Sequence, residues 1–278
     1  MEIRHLKEDE VQSIAIALAQ KEGWNPGFFD AKAFCAADPK GFIGGFIDDE
    51  PMGCISAVRY PEQFAFLGFY IVRAEFRGLG YGMQLWNAAM AQMENYNIGL
   101  DGVTDQQANY MKSGFKLAYR NIRYSGIKSM DSSDEKCMQL DADMMSDITA
   151  FDRLCFPSKR DAFLNAWLNM PGNTVKAYYE SGKLKGYGVI RPCYTGYKIG
   201  PLFADSVQTT MALINSLISG IPPNAAYFID IPEVNQSANY MIEQYNLEPV
   251  FETARMYTRE APEISLDNIF GVTSFELG

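Results

Sequence analysis

Histidine is almost missing from this chain: His5 stands alone among 278 residues. One imidazole, in a strand-like first segment, nearly excludes Ser–His–Asp and Cys–His catalysis and multi-histidine metal centres. Cysteine is sparse and scattered, at Cys35, Cys54, Cys137, Cys155 and Cys193, with no C-x-x-C pair. That spacing fits reduced thiols rather than a disulfide framework or a zinc site, and no metal is expected. No run approaches the ~20 apolar residues of a membrane helix, and Met1 to Glu10 is charged throughout rather than basic and then apolar. The cytoplasm is therefore the expected compartment, with no membrane partner. Positive charge is also short, 24 Lys and Arg against 34 Asp and Glu, for a net charge of −10. Nucleic acid needs a basic footprint and is not an expected partner, whereas small amines are attracted to an acidic surface.

What the chain does have is 47% hydrophobic residues over a length comfortable for two domains. Its most distinctive stretch is Leu67 to Trp86, an apolar run followed by RAEFRGLGYG and then MQLW. It reads as a strand, a glycine-rich turn and the first turns of a helix. Around Gly78, Gly80 and Gly82 a bulky anion can approach the backbone. The N–H groups of Gly80, Tyr81 and Gly82, at a helix start, are orphan donors suited to phosphate, with Arg77 at the rim. A dinucleotide fingerprint needs a glycine where Leu85 stands, and a P-loop needs Lys-Ser/Thr where Met83-Gln84 stands. The remaining pattern, Arg77-x-x-Gly80-x-Gly82 after Ile71-Val72, resembles the acetyl-CoA pyrophosphate loop of the GCN5-related N-acetyltransferases.

The order of elements extends that resemblance. Strand 2–6, helices 8–21 and 30–37 (Asp30 capping the second), a hairpin 41–48/52–60, strand 64–72, helix 83–96, strand 98–103, helix 106–113 ending at Gly114, and a closing strand 115–124 predict a mixed α/β sheet flanked by helices. Family members tend to carry a tyrosine four residues before a Gly-Phe pair, here Tyr110 before Gly114-Phe115. Polar residues 131–136 read as a linker. Beyond it the order recurs: helices 142–155 and 159–169, hairpin 174–180/184–191, strand 197–203, helix 206–219 capped by Asp205, strand 226–230, helix 235–244 and strand 249–258. Ala108-Asn109-Tyr110-Met111 returns as Ala238-Asn239-Tyr240-Met241, each copy after a strand ending in Asp (Asp101, Asp230). The expectation is two tandem acetyltransferase-like domains: a catalytic one over 1–130, and a degenerate one over 137–278 without the pyrophosphate loop.

The resemblance implies an acetyl-CoA-dependent N-acetyltransferase, transferring acetyl to a primary amine of a small molecule or peptide by direct attack in a ternary complex. Coenzyme A would rest on Ile71, Val72, Arg77, Gly78, Leu79, Gly80, Tyr81, Gly82 and Asn109. Tyr110 is the expected acid for the leaving thiolate. The base is unresolved: many members place a carboxylate on the strand entering the loop, and 64–72 has none, which leaves Asp101, a residue that reads equally as a buried structural group. For the acceptor pocket the candidates are Trp24, Asn25, Phe28, Tyr60 and Tyr70. Two alternatives stay open: a coenzyme-A sensor without turnover, supported by the missing strand carboxylate, and an interaction protein that retains only the fold, which failure to bind coenzyme A would favour.

Overall fold

The computed structural model describes residues 1–128 and 134–278. Residues 131–133 of the expected linker lie outside these, and Asp134 to Lys136 lead directly into a short strand. The described residues form one mixed 13-stranded sheet. Its strands are β1 (Glu2–His5), β2 (Phe42–Ile47), β3 (Glu50–Tyr60), β4 (Phe64–Val72), β5 (Asn97–Val103), β6 (Lys116–Ile127), β7 (Cys137–Gln139), β8 (Thr174–Glu180), β9 (Lys183–Pro192), β10 (Tyr197–Ala204), β11 (Ala226–Pro232), β12 (Glu248–Tyr257) and β13 (Ile269–Gly271). Nearly every expected helix is present within a few residues. Two expected caps moved. Asp30 lies inside its helix, Asp30–Ala37, and its carboxylate turns to Arg191 and the Gly27 N–H. At Val207–Ser219 the cap is Ser206, which accepts from the Thr209 N–H, while Asp205 accepts from the Thr209 hydroxyl and Lys185.

The strand order is β1-β2-β3-β4-β5-β12-β6-β11-β10-β9-β8-β7. The strand expected to close the first half, β6, does not pair with β5. It lies between β12 and β11, while β12, from the second half, pairs with β5. The two halves thus exchange their last strands, and the sheet is continuous across them. The exchange is matched by charge. In register across the seam, Arg255 faces Asp101 and Arg123 faces Asp230. Each arginine grips its aspartate through two hydrogen bonds, at 2.8 and 2.6 Å for Arg255 and 2.6 and 2.8 Å for Arg123. A pair buried to this degree costs about 3–5 kcal/mol when one partner is removed, so each half penalises loss of the other's strand.

Helices cover both faces. One face carries residues 8–21, Asp30–Ala37, Met145–Cys155 and Asp161–Leu168 over a core that both halves share, with Phe34 stacked on Trp167 at 5.8 Å. On the opposite face Tyr81–Gln92 covers the first half through Leu85, Trp86 and Ala89. Val207–Ser219 covers the second half through Leu213, Ile214 and Leu217. No helix among the described residues is long and apolar enough to cross a membrane.

Candidate active site

Each half contains one parallel pair joined by a helical crossover, and in each the two strands part company at their C-terminal ends. Such ends are where open α/β sheets place ligands. β4 and β5 pair from Phe64/Asn97 to Leu67/Leu100 and then splay. At the splay β4 bulges against β3, with Phe69 at φ +47°, a strained main chain for a residue with a bulky side chain. In the second half, β10 and β11 pair only from Tyr197/Tyr227 to Ile199/Ile229. There the opening is filled: β13 pairs with β10 at Leu202 and Phe203, and the Val272 N–H donates to the Asp230 carbonyl. Asn235 fixes β13 by donating to the Asp267 and Ile269 carbonyls.

The two crossover helices differ in the same sense. Ser206 and Asp205 occupy the start of Val207–Ser219. Tyr81–Gln92 instead begins at Gly80, with φ +81°, no side-chain cap and no acidic residue in its first turn. Its first amides have no side-chain cap among the described residues, and the helix dipole lies behind them. Arg77 sits at the rim. Its Nε donates to the Val72 carbonyl at 2.7 Å and its Nη2 to Glu22, and Nη1 has no partner among the described residues. The donor set fits a diphosphate.

The first splay opens into a cavity of about 620 Å³. Its loop end is lined by Ile71, Val72, Arg77, Gly78, Gly80 and Gly82, and its inner end by Trp24, Phe69, Arg123, Phe251, Phe275 and Glu276. Tyr110 and Tyr70 line the wall between. Tyr110 stacks on Trp86 at 5.9 Å, and burial pushes its phenol up to about 12, with Tyr70 adding to the shift. Its hydroxyl has no hydrogen-bond partner among the described residues.

Of the expected residues, the structure gathers Ile71, Val72, Arg77, Gly78, Gly80, Gly82, Tyr110, Asp101, Trp24 and Tyr70 around this cavity. The rest stand elsewhere. The Leu79 side chain is exposed and the Tyr81 ring packs on Phe76, and neither residue lines the cavity. Asn109 is exposed and bonds Gln106, which itself lines the cavity. Asn25 exchanges two 2.8 Å hydrogen bonds with the Thr195 backbone, and Phe28 packs on Tyr194 at 4.8 Å. Both therefore dock the 23–29 loop onto the second half. Tyr60 is buried, its hydroxyl donating to the Leu277 carbonyl. Tyr70 does line the cavity, but its hydroxyl lies beside Gly82 rather than at the inner end.

Asp101 is committed to the seam. Both its oxygens accept from Arg255, and Asn121 donates to Oδ1 at 2.8 Å. Burial raises the Asp101 carboxyl and Arg255 pulls against that. Burial likewise works to lower Arg255, and Asp101 outweighs it and holds the guanidinium charged. Its counterpart Asp230 ends below the usual carboxylate range: burial pushes it up, but Arg123, Lys198 and Arg191 together push harder. The repeated aspartates are thus the two halves of one ion-pair exchange.

Comparison with known proteins agrees with this geometry. The family model for the acetyltransferase (GNAT) family matches residues 6–115, and a second GNAT acetyltransferase domain model matches 148–271. The holothin acyltransferase of Pseudoalteromonas sp. is 29% identical over 94% of this chain and 89% of its own length. A structure solved from Pyrococcus horikoshii superposes with a TM-score of 0.83 at 21% identity, over 100% of this chain and 95% of that one. A tandem GNAT protein from the clavulanic acid biosynthesis pathway gives 0.65 at 10% identity, over 94% and 99%. The chain is a tandem acyltransferase of the GCN5-related N-acetyltransferase superfamily.

In this tandem acyltransferase the inner end of the cavity comes from segments the sequence did not mark. Phe251 and Thr253 lie on the exchanged strand β12, Arg123 lies on β6, and Phe275 and Glu276 follow β13. One signal was readable. Gly68 interrupts an otherwise bulky strand, the mark of another backbone passing close. A Cβ there would collide with the Glu276 carbonyl oxygen.

Proposed function

We propose that the chain transfers an acyl group, acetyl in the first instance, from coenzyme A to a primary amine of a small molecule or peptide, in a ternary complex at the first splay. The catalytic unit is residues 1–130, and 137–278 is a degenerate unit that binds no coenzyme A. The observation carrying this reading is the contrast between the two crossover helices. One has free amides at an open cavity; the other is capped by Ser206 behind a crevice filled by β13. The holothin acyltransferase relative supports acyl transfer as the reaction.

The group, when bound, supplies a thioester activated toward attack. The amides at 80–82 and Arg77 would grip its diphosphate and hold the reacting carbon in place. Backbone N–H groups freed by the bulge at Phe69 would stabilise charge on the carbonyl oxygen. Tyr110, aimed into the same cavity without a competing partner, would hold its proton at Oη for the departing sulfur. Its raised pKa keeps that proton on the phenol throughout the neutral range. The missing strand carboxylate supports a second reading, a coenzyme-A sensor. A screen of thiol release from acetyl-CoA against amines, amino acids and polyamines separates the two. Release with one amine class supports transfer, and tight binding without release across the panel favours the sensor.

A further inference from the structure

We propose that Glu276 is the carboxylate that receives the acceptor's ammonium group and takes its proton, replacing the acid absent from β4. The proposal rests on the reading above. β4, FAFLGFYIV, carries no ionisable side chain other than Tyr70. At Gly68, where the main chain is bare, the segment after β13 crosses it backbone to backbone, and the residue at the crossing is Glu276. The backbone crossing thus brings a carboxylate-bearing residue beside the strand from a segment more than 200 positions away.

Three features separate this carboxylate from the other acids of the molecule. Glu276 is 5% exposed, and it lines the cavity. It accepts no hydrogen bond from any described residue. A carboxylate with no donor in a cavity wall marks a site where a ligand can complete the environment. The cations around it direct their hydrogen bonds elsewhere, and only the buried Nη1 of Arg191 has no partner among the described residues. Arg123 binds Asp230 and the Trp24 carbonyl, Arg191 binds Asp30, and Lys198 donates to the same Trp24 carbonyl. Cys193, Asp230 and Asp30 belong to the same cluster, and Asp101, Glu22 and Arg77 line the same cavity. The walls beside it are the rings of Trp24, Phe69, Phe251 and Phe275. A carboxylate set among aromatic faces selects an organic ammonium with an apolar body over a strongly hydrated polycation.

The proton and electron account closes. One ammonium proton passes to the Glu276 carboxylate, and the freed nitrogen pair forms the C–N bond. The C–S pair leaves with sulfur, which takes the Tyr110 proton. The second proton of the nitrogen then restores the tyrosine, and the Glu276 proton returns to solvent.

The test is Glu276→Gln, which keeps size and leaves the crossing backbone at Gly68 in place. The full-length variant should bind acetyl-CoA with unchanged affinity by calorimetry, while kcat/KM at pH 7 falls about 100-fold or more. Its logarithm should then rise with unit slope as pH approaches the amine's own pKa, because only amine already neutral in solution can react. Full activity, or a loss independent of pH, overturns the assignment and leaves the function standing. A wild-type protein that binds acetyl-CoA but releases no thiol with any amine overturns both. If the glutamine variant does not fold, Glu276→Met, also uncharged and of similar length, replaces it under the same two measurements and the same outcomes.

Discussion

Replacing Asp101 by Asn separates its two readings, because they predict opposite things. The substitution is isosteric and removes the charge that Arg255 faces. Arg255 is 5% exposed, so its guanidinium would be left buried with an amide that turns one N–H group toward its donors. Breaking such a pair costs about 3–5 kcal/mol. At roughly 2–4 °C per kcal/mol for a chain of this size, Tm should fall by about 6–20 °C. The cost should largely vanish in the double variant Asp101→Leu with Arg255→Met, since paired apolar residues of similar volume replace buried ion pairs with little loss. Below the lowered Tm, the turnover of Asp101→Asn should remain within a few-fold of wild type. Calorimetric scans of the two single variants and the double variant, with initial rates on each, carry the test. An Asp101→Asn protein with unaltered Tm and abolished turnover would refute the reasoning and return Asp101 to the chemistry.

Gly80→Asp should eliminate measurable acetyl-CoA binding in a titration, since it forces a side chain into φ +81° and places a carboxylate where the diphosphate would rest; retained affinity would refute the loop assignment. Tyr110→Phe should lower kcat about 100-fold at constant acetyl-CoA affinity and nearly constant Tm, because the hydroxyl has no partner to lose; undiminished kcat removes it from the mechanism. Acid sensitivity should follow Asp230. Its folded pKa lies below its unfolded value of about 3.9, so its contribution is complete above that pH and is lost as pH falls through the folded pKa. Urea midpoints between pH 7 and 3 should therefore decline less steeply in Asp230→Asn than in wild type, and identical slopes would contradict the assignment.

Local pattern carried most of the elements. Alternation and apolar periodicity reach nearly every strand and helix, because burial of one face is written into neighbouring residues. The glycine-rich turn proposed to hold the diphosphate is readable for the same reason: its glycines and Arg77 are contiguous. The tandem duplication showed through Ala108 to Met111 and Ala238 to Met241, which begin equivalent helices.

Which strand lies beside which was settled only by the tertiary structure. An alternating strand such as β6 declares a buried face but not a neighbour, and β5 and β11 offer it similar edges. The reciprocal pairs Asp101–Arg255 and Asp230–Arg123 make the exchanged arrangement the one in which no charge is stranded. The inner end of the cavity is of the same kind. Glu276 reaches it only because Gly68 admits a second backbone, and a relation between positions 68 and 276 leaves no periodic trace in either segment. Short-range order follows from the chain's own steric and hydrophobic pattern, whereas the chemistry at the inner end depends on contacts between segments far apart in sequence, which exist only once the chain has packed.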